Sequence, residues 1–508
     1  MTYGRPGVYV SETLTTTPLQ SVGATTSAGA VLGVFGQGPD TVTLVRSWFE
    51  FTDVYGGYDA LYPATTVVNQ FFKNGGTELY VQRVLSSTAG YATASLPATS
   101  GTLATVTAKN KGSVGTSISV QLTQNGGGTW NLAVYKEYTV GGNTSTKLVE
   151  NYTNLVFDDA LSSNFAETVV NNVSANIVLS STDTAKTPDT TAVSLTGSNL
   201  DGATVRATDF TALLPTDGSA NLDQVDRPLV VFAAGVYDKL VVDGETAETA
   251  AGDHLDVSEA LINWAKAGNG FAVVDTVAGL TPAQALSFAA SLPVTSQAAV
   301  YYPNYFISDP TSASPQATRK VSPAAAVVGN YLRTDGAKGP FKTPAGIDSR
   351  VEGAISLERA FTNKDLDDLN SSTSPVNAIR NLPGAGIVIM GGRTLLQDGT
   401  ANRYINMRRS LIYIEKQLTD LTQFALFANN DYKLWAQLRS VVTVFLNQYY
   451  NKGGLRGGSP SQAFYVKVDE QNNTASTIQS GVVNIEVGVA LEYPTEFIVL
   501  NIAQITGA

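Results

Sequence analysis

The stretch Phe464-Tyr465-Val466-Lys467-Val468-Asp469, read together with Val483, Ile485, Val487, Val489 and Leu491, decides the fold. Both pieces alternate apolar and polar residues, with Asn484, Glu486 and Glu492 on the second piece's other face, the period-two pattern of a half-buried antiparallel pair. After Tyr493-Pro494 comes Phe497-Ile498-Val499-Leu500-Asn501-Ile502, apolar on both faces, at a terminus where chains usually fray into polar residues. Such a segment needs a sheet to join. At the other end Pro6-Gly7-Val8-Tyr9-Val10-Ser11-Glu12 is a second extended piece, cut off from the first core element by the Thr-rich run Thr13 to Thr17. Two ends with spare strand predict that neighbouring copies exchange strands.

A chain of 508 residues exceeds what one core organises, and two or three domains are expected. Apolar residues make up 43% and charged ones only 15%, with 46 glycines, which describes a β-rich globular protein with a hydroxyl-rich surface. A net charge of -11 excludes a protein that grips phosphate backbones, so nucleic acid is not an expected partner. Cysteine is absent, which removes disulfides, thiolate metal sites and cysteine nucleophiles. No signal-peptide order opens the chain and no run of about 18 apolar residues crosses it, so a soluble protein made in a cytosol is expected, without membrane insertion.

Working outward along the chain, Ala30-Val31-Leu32-Gly33-Val34-Phe35 reads as a buried strand ended by Gly36 and Gly38-Pro39. Ser47 to Tyr55 and Ala64 to Lys73 read as helices, the second with Val67, Val68, Phe71 and Phe72 at helical spacing and Asn74-Gly75-Gly76 as its stop. Glu78 to Val84 returns as a strand. From about Leu96 to Asp226 the texture turns dense in Thr, Ser, Asn and Gly, with alternation at 118–122 and 132–135 and a hairpin turn at Gly141-Gly142-Asn143, predicting an inserted β-rich domain. From Pro228 the runs at 229–233, 271–275 and 299–302 alternate with helical faces at 257–264 and 282–289, which predicts parallel βαβ units. Ile387-Val388-Ile389-Met390 adds a strand. Two long helices follow, one with Met407, Leu411, Ile414, Leu418, Leu421 and Ala425 on a single stripe, the other opening after Asn430-Asp431 and running through Leu434, Leu438, Val442, Phe445 and Tyr449 to Gly453-Gly454.

Chemistry-bearing motifs are scarce. A single histidine, His254, excludes a multi-histidine metal site and is read as a surface or capping residue. There is no Gly-x-Ser-x-Gly elbow and no Gly-Lys pair to complete a phosphate loop. Gly33, Gly36 and Gly38 miss the dinucleotide spacing and read as a turn. Asp365-Leu366-Asp367-Asp368 lacks the glycine and distal glutamate of a calcium loop and reads as a solvated face. The basic set Arg403, Arg408, Arg409 and Lys416 has two readings: ordinary salt bridges to Glu415, Asp420 or the facing helix, or a ridge facing an acidic partner. No catalytic residue, metal site or cofactor is expected.

In sequence order, several motifs resemble the contractile tail sheath family of phages and related injection machines, of myovirus type. These are Pro6-Gly7-Val8-Tyr9-Val10; the segment 108–120 with Gly112-Ser113 and Gly115; Val321-Ser322-Pro323-Ala324, Arg333-Thr334-Asp335 and Phe341 to Gly346; Val376-Asn377-Ala378-Ile379-Arg380; Gly391-Gly392-Arg393-Thr394-Leu395; Tyr404 to Arg409; Phe427 to Asp431; Ala463 to Val466; and Tyr493 to Val499. Pro494-Thr495-Glu496 stands where the family usually has Pro-Ala-Glu. The resemblance covers the N-terminal arm and most of the chain after Pro228, and is weak from Leu96 to Asp226.

The resemblance implies an α/β and α+β multidomain subunit. Its parts would be an N-terminal exchange arm (1–22), a core domain in two pieces (23–95 and 227–400) around an inserted β-rich outer domain (96–226), a C-terminal helical hairpin and β-sheet (401–493), and a C-terminal exchange arm (494–508). The arms would carry Val8, Tyr9 and Val10 at one end and Phe497, Ile498, Val499, Leu500 and Ile502 at the other. The acceptor sheet would be Phe464, Val466, Val468, Val483, Ile485, Val487 and Val489. It further implies six-subunit rings stacked helically around a tail tube, with baseplate and terminator proteins as further partners, in a virion tail assembled in a host cytoplasm. Arg403, Arg408, Arg409 and Lys416 are the candidates for facing the tube. Two other classes remain open: another self-assembling virion or surface-layer protein, and an enzyme on the α/β core with a polar pocket at the ends of Phe232, Asp275 and Tyr302.

Overall fold

Apolar runs long enough to be buried on both faces, separated by helices, build the centre of the molecule. The structure is a computed structural model and describes residues 27–140, 143–198, 200–202, 204–268 and 270–496. The expected arm residues Val8, Tyr9, Val10, Phe497, Ile498, Val499, Leu500 and Ile502 lie outside the described residues. Strand β1 (Ala28–Gly33) is buried along its whole length, as a strand covered on two sides must be. It is followed by β2 (Thr43–Val45), α1 (Trp48–Tyr55), α2 (Pro63–Lys73) and β3 (Leu79–Arg83). The Ser47 hydroxyl accepts from the Glu50 N–H to cap α1, and Pro63 opens α2, where its missing N–H costs nothing.

The chain then builds β4 (Thr93–Pro97), β5 (Thr102–Ala108), β6 (Ile118–Gln124), β7 (Trp130–Val140), β8 (Asn143–Leu155), α3 (Ala166–Val173), β9 (Ile177–Ser180), β10 (Val193–Ser194) and the short α4 (Ala207–Thr211). Two antiparallel sheets result, one in the order β10-β6-β7-β8 and one in the order β4-β5-β9. The alternation seen in the sequence is the alternation of faces: Ile118, Val120, Leu122, Leu132 and Val134 enter one buried cluster with Leu96, Val106 and Trp130. Val140 pairs with Asn143 across the expected hairpin.

The main sheet resumes with β11 (Leu229–Ala234), α5 (Val236–Val242), α6 (Ala247–Ala267), β12 (Phe271–Asp275), α7 (Pro282–Ser291) and β13 (Ala298–Tyr302). A three-stranded antiparallel sheet, formed by β14 (Tyr305–Ser308), β15 (Thr318–Val321) and β16 (Ser356–Leu357), brackets α8 (Ala324–Ala337) in sequence. After α9 (Asn363–Ser371) come β17 (Val376–Leu382) and β18 (Gly386–Ile389). Eight strands lie in the order β18-β17-β13-β12-β11-β1-β3-β2. The six inner strands are parallel, as the crossovers require, while β2 and β18 close the two margins antiparallel. The strand expected at 387–390 is therefore a hairpin return from β17, with Met390 beyond its end.

Successive residues of each inner strand face opposite cores. Val31, Phe232, Val273 and Tyr301 pack with α2 and α8, whereas Leu32, Val231, Val274 and Val300 pack with α6 and α7. Helices α2 and α8 meet backbone to side: a Cβ on Gly329 would stand 2.4 Å from the Phe71 carbonyl oxygen, so only glycine permits this crossing.

The chain ends in α10 (Ile405–Thr422), α11 (Tyr432–Asn451), the single turn α12 (Pro460–Ala463), β19 (Phe464–Lys467), α13 (Ala475–Gln479) and β20 (Glu486–Val489). Asp431 caps α11 by accepting from the Leu434 N–H, and Leu434, Leu438, Val442, Phe445 and Tyr449 are all buried, as their spacing predicts. Helix α10 departs from the one-stripe reading. Ile405 and Ile412 join the core of the main sheet while Met407, Tyr413 and Ile414 join the cluster under α11. Buried on two sides, α10 leaves Leu411, Leu418 and Leu421 half-buried at its rim and ends before Ala425.

Candidate functional site

Strands β19 and β20 pair antiparallel with Phe464 opposite Val489 and Val466 opposite Val487, and their inner face rests on the cluster built by α10 and α11. No third described strand joins them. Val468 is fully buried just past the end of β19. Of the expected acceptor residues, Val483 and Ile485 fall outside β20, which starts at Glu486. Side chains replace the ladder there: Asn473 Nδ2 donates to the Asn484 carbonyl at 3.0 Å, and the Asn484 N–H donates to Asn473 Oδ1 at 2.6 Å. An amide side chain that imitates a strand gives no periodic signal, so the sequence pattern runs on where the strand does not. Ile485 still packs on the cluster.

From β20 the chain crosses to the main sheet along a row of contacts. Leu491 bridges to Leu455. Asn406 Nδ2 donates to the Glu492 and Phe341 carbonyls, each at 3.0 Å. The Tyr493 ring stands edge-on to Tyr404 at 6.1 Å and lies under the Arg456 guanidinium at 5.3 Å. Glu496 then meets Arg393: Nη2 donates to Oε2 at 2.7 Å and Nε to Oε1 at 3.1 Å. This forked, charge-assisted contact holds the guanidinium pKa above its ordinary value. Beneath the segment lies a groove of about 890 Å³, bounded by α9, β17 and the loop at 341–346.

Each of the four basic candidates meets partners within the chain. Arg409 is 2% exposed and paired with Asp335 of α8, its guanidinium 4.7 Å over the Tyr331 ring. Burial pushes the Asp335 carboxyl upward, and Arg409 opposes that push. Arg403 lies over its neighbour's ring, Tyr404, at 4.8 Å, and its Nη2 donates to the Tyr404 hydroxyl at 2.9 Å. Arg408 sits 3.9 Å from Glu415, and Lys416 is held by Asp226 and Asp420. Salt bridging is the arrangement found for Arg408, Arg409 and Lys416, while Arg403 rests on Tyr404. Asp335 is 74 residues from Arg409, and nothing periodic connects them.

His254 is corrected from a surface or capping residue to a buried one. It lies mid-helix on the inner side of α6, its Nε2 2.9 Å from the Asp275 carbonyl oxygen and its ring stacked on Phe288. Burial pushes the Asp275 and Asp238 carboxyls up beside it. This polar cluster stands at the strand ends where an enzyme on this core would carry its site, yet the cavity among these groups is about 10 Å³, the space of a single water. Asp365 serves as the partner of Thr362 in the capping box of α9, and Asp368 pairs with Lys364 on the solvated face. Among the described residues no group of acidic and histidine side chains could hold a metal, and no helix is long and apolar enough to cross a membrane.

Fold and terminal sheet together define a mixed α/β multidomain protein whose architecture is similar to that of solved contractile sheath proteins. No protein-family model matches the sequence. The chain is 27% identical over 184 residues to the tail sheath protein of Vibrio phage KVP40, covering 36% of this chain and 26% of that one. It is 28% identical over 130 residues to the tail sheath protein of Salmonella phage ViI, covering 26% and 20%. The matches thus span about a quarter of these relatives' length. Among solved structures, the anti-feeding prophage helical sheath in its contracted state has a TM-score of 0.58 at 19% identity, over 99% of this chain and 100% of that one. The sheath tail protein of Listeria innocua has a TM-score of 0.57 at 14% identity, over 88% and 90%. Sequence and fold comparisons both support the tail sheath family that the motifs resemble.

Proposed function

We propose that this chain is a structural subunit of a contractile tail sheath, polymerising helically around a tail tube through exchanged strands and shortening to drive the tube through a cell envelope. The observation that carries the reading is the β19–β20 sheet, which has two strands, a packed inner face and no further described strand on either margin. Packing on α10 and α11 steadies so small a sheet, while its margins, with no third described strand, are where a further strand can add. Extended segments from neighbouring copies, at 1–22 and 494–508, would supply them by strand addition. The sequence likeness to two proteins named tail sheath protein supports the same reading.

In this reading Phe464, Val466, Val468, Val487 and Val489 receive the arms, the unit at 96–226 faces outward from the core, and the partners are copies of the chain in six-subunit rings, the tube, the baseplate and the terminator. No turnover and no cofactor belong to it. Two arms given and two received per subunit make assembly cooperative, because each engaged arm raises the effective concentration of the next. Electron microscopy of the purified protein should show hollow striated cylinders; flat sheets or closed shells would point instead to another self-assembling virion or surface-layer protein. Deleting Met1 to Glu12, or Glu496 to Ala508, should leave a folded monomer that forms no cylinders, and normal cylinders from either truncation would refute the exchange.

A further inference from the structure

We propose that Arg393 is a positioning residue that pins Glu496 to the α/β body, so that the segment leaving β20 is anchored on the eight-stranded sheet and not only on the small β19–β20 sheet. The proposal rests on the exchange reading above and adds where its load is carried.

Arg393 is unusually constrained for a loop residue. Its N–H donates to Asn377 Oδ1 at 2.9 Å, and Asn377 Nδ2 donates back to its carbonyl at 2.8 Å. The same Nδ2 reaches the Val300 carbonyl of β13 at 3.1 Å, so one β17 side chain ties Arg393 to two inner strands. Gly391 and Gly392 make this possible: a Cβ on Gly391 would strike Asn377 at 2.5 Å, and one on Gly392 would strike Thr343 at 2.5 Å. The third guanidinium nitrogen, Nη1, donates to the Asn370 carbonyl at the end of α9 at 2.8 Å. Nε and Nη2 are left as a rigid fork aimed at Glu496, and both side chains are mostly covered, at 13% and 19% exposed. A planar fork fixed on one side and bidentate on the other sets direction as well as energy, and a lysine cannot reproduce it.

Glu496 belongs by sequence to the segment leaving β20, only seven residues past Val489, yet its charge is held by the main sheet. Pull on the following residues would reach Arg393 and then β17 and β13 before it reached β20.

The test uses the full chain as Arg393→Gln, Arg393→Lys, Glu496→Gln and the exchange Arg393→Glu with Glu496→Arg. Thermal unfolding checks each fold, and limited proteolysis of the monomer reads the freedom of the end. Assembly is read by sedimentation. Arg393→Gln and Glu496→Gln should cleave faster after Glu496 at an unchanged melting temperature. They should also raise the concentration needed for assembly by about tenfold, the size expected for a lost charge-assisted pair. Arg393→Lys should behave like Arg393→Gln, and the charge exchange should recover part of the loss. Wild-type cleavage and wild-type assembly in the single variants would overturn the latch. If the wild-type chain itself forms no polymer, the exchange reading fails, while the proteolysis arm still decides whether Arg393 pins Glu496.

Discussion

Arg409 of α10 and Asp335 of α8 face one another inside the protein, Nη1 3.0 Å from Oδ1, with side chains 2% and 1% exposed. The pair ties the helical hairpin to the helix that covers the main sheet. Each charge is tolerated only because the other is there, since an unpaired ion at that depth has no water to turn to. Arg409→Ala or Asp335→Ala should each cost about 3–5 kcal/mol, while Arg409→Met with Asp335→Leu should recover most of that loss. Urea denaturation of the monomer measures it, and a double variant no better than the singles would show that no coupling exists.

Gly329 and Gly336 lie on the same helix, α8, in opposite circumstances. A methyl at 329 meets the Phe71 carbonyl oxygen at 2.4 Å, whereas one at 336 meets nothing within 4 Å. Gly329→Ala should therefore destabilise by about 1–3 kcal/mol through overpacking. Gly336→Ala should stabilise by about 0.5–1 kcal/mol through helix propensity. The opposite signs, read from paired melting curves, make the check independent of any general effect of alanine.

Glu150 of β8 supplies a pH dependence. Burial alone would raise its pKa, but its carboxylate accepts from Ser174 Oγ at 2.7 Å, Asn176 Nδ2 at 2.6 Å, Tyr152 Oη at 2.9 Å and the Ala175 N–H at 2.9 Å, and the net result lies below the ordinary 4.5. A depressed folded value means the stabilisation is complete above the ordinary carboxylate range and disappears as pH falls through the folded value. Glu150→Gln should lower stability by about 1–2 kcal/mol at pH 7, and the gap to wild type should close as both are acidified below about pH 4. A gap that is constant with pH would show that the charge contributes nothing.

Phe427, in the turn between α10 and α11, has φ of +63° and a fully exposed ring. A left-handed backbone costs a bulky residue energy that glycine does not lose, and no side-chain burial is forfeited on replacement. Phe427→Gly should raise monomer stability by about 1 kcal/mol in denaturant titration, an increase that a relaxed turn would not give.

The parts legible in the sequence are those where one period operates over a continuous stretch. The inner strands at 229–233 and 271–275, the α11 face from Leu434 to Tyr449, and the alternation at 118–122 all appear where the pattern puts them. What could not be read depends on partners distant in the chain. Helix α10 hides a second buried side because Arg409 interrupts the apolar pair Ile405 and Ile412 there, a charged residue buried only because the fold delivers Asp335 to meet it. His254 looked like a terminus residue because Gly252 and Asp253 precede it, yet α6 begins at Ala247 and runs straight through them. In the terminal site the strand pair was visible from alternation, whereas the Arg393 fork was not, because its meaning lies in Asn377, Asn370 and Glu496 coming together.

The short antiparallel strands β2 and β18 finish the broad sheet at its left and right borders, while the β19–β20 sheet has no third strand among the described residues. Under the exchange reading, backbone pairing between copies falls on two four-residue strands seated on the helical hairpin and outside the broad sheet. A lattice joined only there would behave as stiff plates on soft seams: strain would gather in a few hydrogen bonds that can reform in a new arrangement, and the plates would travel unchanged.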